Sequence, residues 1–154
     1  MNKKGFTLIE LIIVIAIISI LAAISFVAVN PAKRIGDANN DQRWADITSI
    51  ADAWEKYETD FAIGEGGFPA LWNDGTIYEI GGDFGSGDSC DEVVTEASID
   101  LSALVDTGYL GAIPTDPLGV NENTATNYYF IKNGGIITVG ACVTFDEVTI
   151  VVSR

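Results

Sequence analysis

The chain of 154 residues contains no histidine, only two cysteines and only four prolines. Without histidine, a histidine general base, a histidine-activated nucleophile and a histidine metal ligand are all excluded. Two cysteines alone cannot complete the usual four-ligand zinc site. A phosphate-binding glycine loop is also missing, because the glycine-rich residues 64–67 lack the strand, lysine and helix that such a loop requires. We therefore predict that the protein is not an enzyme.

Basic residues are also scarce, since 8 Lys and Arg stand against 22 Asp and Glu. Residues 45–154 alone contain 3 basic and 19 acidic residues, which gives this part a net charge of −16. Nonspecific nucleic-acid binding needs Lys and Arg set against phosphates, so we expect no nucleic-acid partner. Solvation and mutual repulsion of an exported surface are sufficient to explain the acidity.

The chain does contain one long uncharged segment, close to its start. No charged residue occurs in residues 11–29, and nineteen residues at about 1.5 Å each cover most of a bilayer core of about 30 Å. Glu10 lies at the beginning of this segment, where a carboxylate is costly in lipid and calls for a partner charge. Lys3 and Lys4 precede the segment, so the positive-inside rule places the amino terminus in the cytoplasm and the chain after residue 30 outside.

The leader ends in Lys3-Lys4-Gly5, and the apolar run opens with Phe6-Thr7-Leu8-Ile9-Glu10. Over residues 1–29 this pattern resembles the class III signal of type IV pilins and of the related pseudopilins of secretion systems. The resemblance implies that prepilin peptidase cleaves between Gly5 and Phe6 and methylates the new amino terminus of Phe6. It also implies that mature subunits form a helical filament with the apolar stems in its core. Glu10 would then neutralise the terminal amine of a neighbouring subunit.

Two other readings of the same segment stay open. An ordinary secretory signal also has a positive start and an apolar stretch, and Ala22-Ala23 or Ser25 would then provide its cleavage site. A plain single-span anchor, with Glu10 reaching toward the headgroups, leaves Gly5-Phe6 unexplained. The alternative functions are accordingly a pseudopilin of a type II-like secretion system and a membrane-anchored extracytoplasmic binding module that does not polymerise.

We divide the chain into a leader peptide (1–5), a transmembrane and filament-core helix (6–29), an amphipathic continuation of the stem helix (30–62) and a globular head (63–154). Pro31 and Gly36 are the predicted helix breakers within the stem. Apolar residues in the continuation recur at spacings of three and four, which is typical of a helix that packs on a sheet. We interpret Trp44 and Trp54 as core residues of this stripe.

The head is predicted to be α+β, with the stem helix packed on a small antiparallel sheet of three or four strands. A strand is expected at 76–80 and a short helix at 100–109. Residues 127–132 and 136–144 are predicted to form a hairpin around the turn Asn133-Gly134-Gly135, and a last strand is expected at 147–152.

Cys90 and Cys142 lie 52 positions apart, in the part of the chain that the orientation places outside the membrane. We predict a disulfide between them, because bridges form in oxidising compartments, and many pilins similarly close their carboxy-terminal half with one bridge. Closing a loop of this length would stabilise the fold by roughly 4 kcal/mol in the chain-entropy model. Two buried free thiols are the alternative.

Calcium is the one cofactor that we keep open, and we assign no metal ligands. Two loops offer the oxygen atoms that calcium prefers, one with Asp83, Asp88 and Asp91 and one with Asp116, Asn121, Glu122 and Asn123. Major pseudopilins bind calcium in a similar place, although the spacing here fits no twelve-residue calcium loop.

The sequence thus predicts a structural subunit of a type IV pilus-like filament. The precursor is expected as a single-pass protein of the cytoplasmic membrane with its amino terminus inside, and the assembled subunit as part of a cell-surface filament. The expected partners are identical or related pilin subunits, prepilin peptidase and, before assembly, the membrane. Filaments of this kind serve adhesion, motility or secretion.

Overall fold

The computed structural model of the protein describes residues 5–61, 75–81, 97–119 and 126–154. Contacts divide the chain into two compact units, Met1–Gly36 and Asp37–Arg154. Helix α1 covers Leu8–Val29, and helix α2, Pro31–Asp60, begins in the first unit and continues into the second. The other described elements belong to the second unit: β1 (Ile77–Ile80), β2 (Ala97–Ile99), α3 (Ser102–Asp106), β3 (Tyr128–Asn133), β4 (Ile136–Ala141) and β5 (Val151–Ser153).

Helix α1 ends at Val29 because the backbone of Asn30 adopts the left-handed conformation, with φ 42° and ψ 73°. Asparagine enters this region more readily than most residues, which makes it a common residue after a helix. Pro31 then occupies the first position of α2, where its missing N–H would be unpaired in any case and its fixed φ suits a helix start. The Asn30 side-chain oxygen accepts the Lys33 N–H at 3.4 Å, which caps the new helix.

The second unit contains a five-stranded sheet in the order β2-β1-β3-β4-β5. The predicted α+β layout of a long helix and a small sheet is confirmed; the sheet has five strands rather than the three or four expected, and one of its pairs is parallel. Strand β2 pairs parallel to β1, with Tyr78 opposite Ala97, while the other pairs are antiparallel. Strand β2 was not predicted, since three residues are too few for alternation to be recognised.

The β3–β4 hairpin forms where it was predicted, and Gly134 in its turn has a φ of 59°. One glycine inside the hairpin is required by packing: a Cβ at Gly140 would lie 2.3 Å from the ring of Tyr129, its cross-strand partner. The last strand starts later than predicted, because Asp146 and Glu147 have φ values of 56° and 54° and belong to a 3₁₀ turn.

The core of the second unit lies between α2 and the sheet. Trp54 is buried, and its ring centroid is 4.8 Å from that of Phe130 on β3. Burial of such side chains stabilises a fold by about 1.5 to 3 kcal/mol each. The buried apolar residues that α2 contributes are Ile47, Ile50, Ala51, Ala53, Trp54 and Tyr57.

The predicted core position of Trp44 is wrong, because this side chain is 39% exposed. The inward line of α2 passes instead through two polar residues, Asn40 and Arg43, before it reaches Ile47. With about 100° of rotation per helical residue, this line leaves Trp44 at its edge. The prediction therefore started the buried apolar stripe of α2 about one helical turn too early, at Trp44 instead of Ile47.

Candidate functional site

Thr7 and Glu10 form reciprocal hydrogen bonds at the start of α1. The Thr7 hydroxyl oxygen accepts the backbone N–H of Glu10 at 3.3 Å. In return, Glu10 Oε2 accepts the backbone N–H of Thr7 at 2.8 Å and its hydroxyl at 2.7 Å. This reciprocal pair is a capping box, which fixes the helix start at Thr7. It holds a carboxylate in the first helical turn, directly after the non-helical residues Gly5 and Phe6.

The apolar surface of α1 is exposed along its length. Its large hydrophobic side chains, together with Phe6, are 46–87% exposed up to Val27. By length and composition, this is the one helix among the described residues that qualifies as a membrane span. Ser19 and Ser25 do not interrupt it, because their hydroxyls donate to the carbonyl oxygens one turn earlier. Such a helix has no core of its own and must be covered by lipid or by other apolar helices.

Glu10 therefore places a carboxylate at the amino-terminal end of the apolar helix α1. A carboxylate at the bilayer centre costs about 2.5 to 3.5 kcal/mol, and less near the interface. Among the described residues, the hydrogen-bond donors to this carboxylate come from Thr7 alone. Both of these donors are neutral groups.

Pro31 and Gly36, the predicted helix breakers, occupy different places in the stem. Pro31 is the first residue of α2, next to the interruption at Asn30, whereas Gly36 lies within α2. Their role in a filament stays a prediction.

The second unit contains a buried ion pair between Arg43 and Asp116, whose side chains are 1% and 2% exposed. The guanidinium donates from Nε to Oδ2 at 2.6 Å and from Nη2 to Oδ1 at 3.0 Å. Its Nη1 donates to Asn40 Oδ1 at 2.9 Å, and Asp116 Oδ1 also accepts the N–H of Leu118 at 2.8 Å. Two-point contacts of this kind fix both orientation and distance. The pair thus joins α2 to the loop that contains Asp116.

Asn40 extends the same network to a second loop. Its side-chain amide donates to the carbonyl oxygen of Phe145 at 3.0 Å, and its side-chain oxygen accepts the Phe145 N–H at 3.0 Å. These two bonds hold the 3₁₀ turn Phe145–Glu147 against α2. The first turns of α2 in this unit are therefore attached to two loops by polar contacts.

Asp46, on the same helix, accepts a hydrogen bond from the Tyr128 hydroxyl at 2.8 Å. Burial raises the pKa of the Asp46 carboxyl, the bond from Tyr128 lowers it, and the nearby charge of Asp116 raises it, so that the net shift is upward. Burial and the Asp46 carboxylate likewise raise the pKa of the Tyr128 hydroxyl. Tyr128 therefore remains the proton donor.

The raised pKa of Asp46 predicts a pH dependence of stability. The folded protein holds this proton more tightly than the unfolded chain, where an aspartate has a pKa of about 3.9, so stability falls as the pH rises above that value. Asp46→Asn keeps an acceptor for Tyr128 without the charge. We expect it to be more stable than the wild type at neutral pH, with the difference shrinking on acidification. Unfolding midpoints of both proteins at several pH values, with the exposed Asp106→Asn as control, test this. A loss of stability at neutral pH would contradict it.

Lys132 forms another charged contact between α2 and the sheet. Its ammonium pairs with Glu58 and lies 5.7 Å from the ring centroid of Trp54. Directly after β5, Arg154 pairs with Asp52 at 3.4 Å, and both side chains are a little under half exposed. Three of the four basic residues in the second unit are thus paired within the chain.

Asp116 does not have the environment of a calcium ligand, because Arg43 occupies both of its carboxylate oxygens. No group of three or more carboxylate or cysteine side chains able to hold a metal occurs in the described part of the chain. The other residues considered for calcium lie outside the described residues: Asp83, Asp88, Asp91, Asn121, Glu122 and Asn123.

Cys142 directly follows β4, and its backbone N–H donates to the carbonyl oxygen of Asn127 at 3.0 Å. Within the ranges that the structure describes, Cys142 is not a free thiol. Cys90 lies outside those ranges, so its pairing with Cys142 stays a prediction.

Sequence reasoning missed the Arg43–Asp116–Asn40 network, although a signal was present. Asn40 lies three positions before Arg43, and Arg43 lies four positions before Ile47, so both are in line with the apolar stripe. A polar residue in such a line is buried only when it has a partner. Asp116, between Pro114 and Pro117, was instead considered as a metal ligand.

The comparison with protein families identifies the amino-terminal segment. The model of the prokaryotic N-terminal methylation motif matches residues 1–26, and this motif is the prepilin signal of type IV pilins and pseudopilins. The motif implies processing by prepilin peptidase, and together with the apolar helix it fits a membrane-anchored precursor. Its family is structural rather than catalytic. No curated protein and no solved structure matches the chain.

Proposed function

We propose that the protein is the precursor of a structural subunit of a type IV pilus-like filament. The observation that carries this proposal is the prepilin signal at residues 1–26 joined to an exposed apolar helix of 22 residues. That surface requires an apolar environment at every stage. The membrane supplies it for the precursor, and neighbouring stems supply it for the mature subunit.

Processing occurs between Gly5 and Phe6, and Phe6 then receives a methyl group on its new amine. Two features of the described residues support this site. Both residues precede the N-cap Thr7, so their peptide bond is not part of the hydrogen-bonded helix. Phe6 is also 87% exposed, which leaves the bond open to a membrane peptidase.

In the filament, Glu10 neutralises the Phe6 amine of a neighbouring subunit. Lipid gives apolar helices no hydrophobic reason to associate, because lipid tails are as apolar as their side chains. A charge pair in an apolar setting supplies the missing attraction and specificity. Glu10 fits this role because its carboxylate is exposed in the first turn of α1, close to the cleavage site.

The head faces outward from the filament and keeps it soluble. Its net charge of −16 over residues 45–154 favours hydration and opposes the binding of polyanions. Separation of surface filaments by shearing tests this function, because a polymerised subunit is recovered with the filaments. A membrane-anchored binding module that does not polymerise would remain with the cell membranes.

A pseudopilin of a secretion system is the second candidate. It is supported by the prepilin signal at residues 1–26, which pseudopilins share with type IV pilins. A pseudopilin would be processed and methylated in the membrane and be nearly absent from sheared filaments.

We also propose a disulfide between Cys90 and Cys142 in the exported head. The wild-type protein from the cell surface, alkylated without reduction, is expected to gain no alkyl group. After reduction it should gain two. Two alkylated cysteines before reduction would refute the bridge.

A further inference from the structure

The exposed large apolar side chains of the second unit are concentrated at one of its ends. Among the described residues of this unit there are five such side chains, with exposed fractions from 39% to 69%. Four of them lie around the first turns of α2 in the unit, and we call these four the base surface: Trp44, Leu118, Val143 and Val148. The fifth is Ile136, in the β3–β4 hairpin.

Val143 and Val148 flank the 3₁₀ turn that Asn40 holds against α2. The carbonyl oxygen of Phe145 accepts the Asn40 side-chain amide at 3.0 Å and the N–H of Val148 at 3.5 Å. Val148 therefore lies beside Asn40, and Val143 is only two positions before Phe145 in the chain.

Leu118 is attached to the same turns of α2 through the buried ion pair. Its N–H donates to Asp116 Oδ1 at 2.8 Å, and the same oxygen accepts Arg43 Nη2 at 3.0 Å. Trp44 directly follows Arg43 on α2. The base surface is thus built around residues 40–44, close to the residue at which the chain enters the second unit.

Ile136 lies toward the other end of the unit. Tyr128, at the start of β3, bonds to Asp46, whereas Lys132, near the end of β3, pairs with Glu58. The turn that follows Lys132 is therefore near the carboxy-terminal end of α2, about 18 Å along the helix from Asp46. Ile136 provides an exposed apolar control position away from the base surface.

We propose that the base surface contacts the outer face of the membrane while α1 anchors the precursor. Eight positions separate Val29, the last residue of α1, from Asp37, the first residue of the second unit. Even a fully extended chain of this length spans at most about 29 Å, whatever the arrangement of the two units. The chain therefore keeps this end of the second unit close to the bilayer. The contact rests on the membrane anchoring in the proposed function and does not require polymerisation.

The residue types of the base surface fit the boundary between lipid headgroups and acyl chains. Tryptophan is enriched at membrane–water interfaces, where its amphipathic ring lies at the level of the headgroups. Apolar side chains beside it gain from burial at the same depth. Asp41 and Glu147 are exposed nearby, and their charges are repelled by anionic lipids. The base surface should therefore prefer a zwitterionic bilayer.

Quenching of tryptophan fluorescence by brominated lipid tests the contact. The full chain with Trp54→Phe/Trp72→Phe retains Trp44 as its one tryptophan. It is reconstituted into phosphatidylcholine vesicles with bromine on acyl carbons close to the headgroup. Because interfacial side chains lie about 5 to 10 Å into this boundary, we expect bromination to lower the Trp44 emission about twofold. Replacement of half of the lipid by anionic phosphatidylglycerol should weaken the quenching.

The matched control moves the single tryptophan to the hairpin, in Trp44→Phe/Trp54→Phe/Trp72→Phe/Ile136→Trp. This chain has the same α1 and the same number of tryptophans, and its emission should not respond to bromination. If Trp54→Phe does not fold, the comparison is made in the otherwise wild-type chain, where Trp44→Phe should remove most of the quenching.

Equal quenching at positions 44 and 136, or no quenching at either, would refute the membrane contact. Trp44 emission that changes with protein concentration but not with bromination would identify a second copy of the chain as the occupant and would also overturn the proposal. Quenching of Trp44 in a chain that never appears in sheared filaments would support the contact and refute polymerisation, so the two proposals fail separately.

Discussion

Glu10→Ala should abolish filament assembly while leaving the precursor in the membrane. Removal of a carboxylate from an apolar segment lowers the cost of insertion, so the variant should insert at least as well as the wild type. In the filament, however, the Phe6 amine of the neighbouring subunit would lose its counter-charge. Truncation of one partner of a buried charge pair costs about 2 to 5 kcal/mol, so assembly should fall by more than tenfold. The measurement is the amount of subunit in sheared filaments relative to membranes.

Glu10→Gln is the matched variant, because it separates charge from helix capping. The Glu10 side chain also accepts the Thr7 N–H, and glutamine can replace glutamate in a capping box. Glu10→Gln therefore keeps the cap and removes the charge. It should fail to assemble as Glu10→Ala does. Normal filaments from Glu10→Gln would show that the charge is dispensable.

Arg43→Met should destabilise the head more than any change at an exposed ion pair. It leaves the Asp116 carboxylate buried without its bidentate partner, and loss of one member of a buried ion pair costs about 3 to 5 kcal/mol. Most domains are stable by only about 5 to 15 kcal/mol, so the effect should be large. Denaturant unfolding of the full chain in detergent micelles measures it.

Two further variants assign the cause of that loss. Arg43→Met/Asp116→Leu removes both charges, and we expect it to recover much of the stability, because apolar replacements of a buried pair are often neutral. Recovery should be incomplete, since Asn40 and the Leu118 N–H lose hydrogen-bond partners. Arg154→Gln breaks an exposed pair and should cost at most about 1 kcal/mol. An Arg43→Met variant as stable as Arg154→Gln would contradict this account of the network.

The parts of the fold that sequence patterns predicted are those governed by local chemistry. The β3–β4 hairpin follows from Asn133-Gly134-Gly135 between two β-prone segments, and α1 follows from an uncharged run. What was not predicted depends on distant partners. Strand β2 is defined by its pairing with β1, and Trp44 was misplaced because Arg43 is buried by Asp116, 73 positions away.

The candidate site shows the same distinction between features that depend on local sequence and features that depend on distant partners. The roles of Gly5, Phe6 and Glu10 are predictions from a short linear motif, and the motif and the helix start both consist of nearly consecutive residues. The capping role of Thr7 was not anticipated, although Thr-x-x-Glu before an apolar run is its usual signature. The contacts of Asp116 depend on tertiary packing and were visible only in the folded head.

The most direct test of the central claim is the intact mass of this protein in filaments sheared from native cells. The proposed function predicts a mass that lacks Met1 to Gly5 and includes one methyl group on Phe6. That result would establish both processing and residence in the filament. A chain that retains its first five residues, or one that never appears in the sheared fraction in any form, would contradict the assignment as a filament subunit.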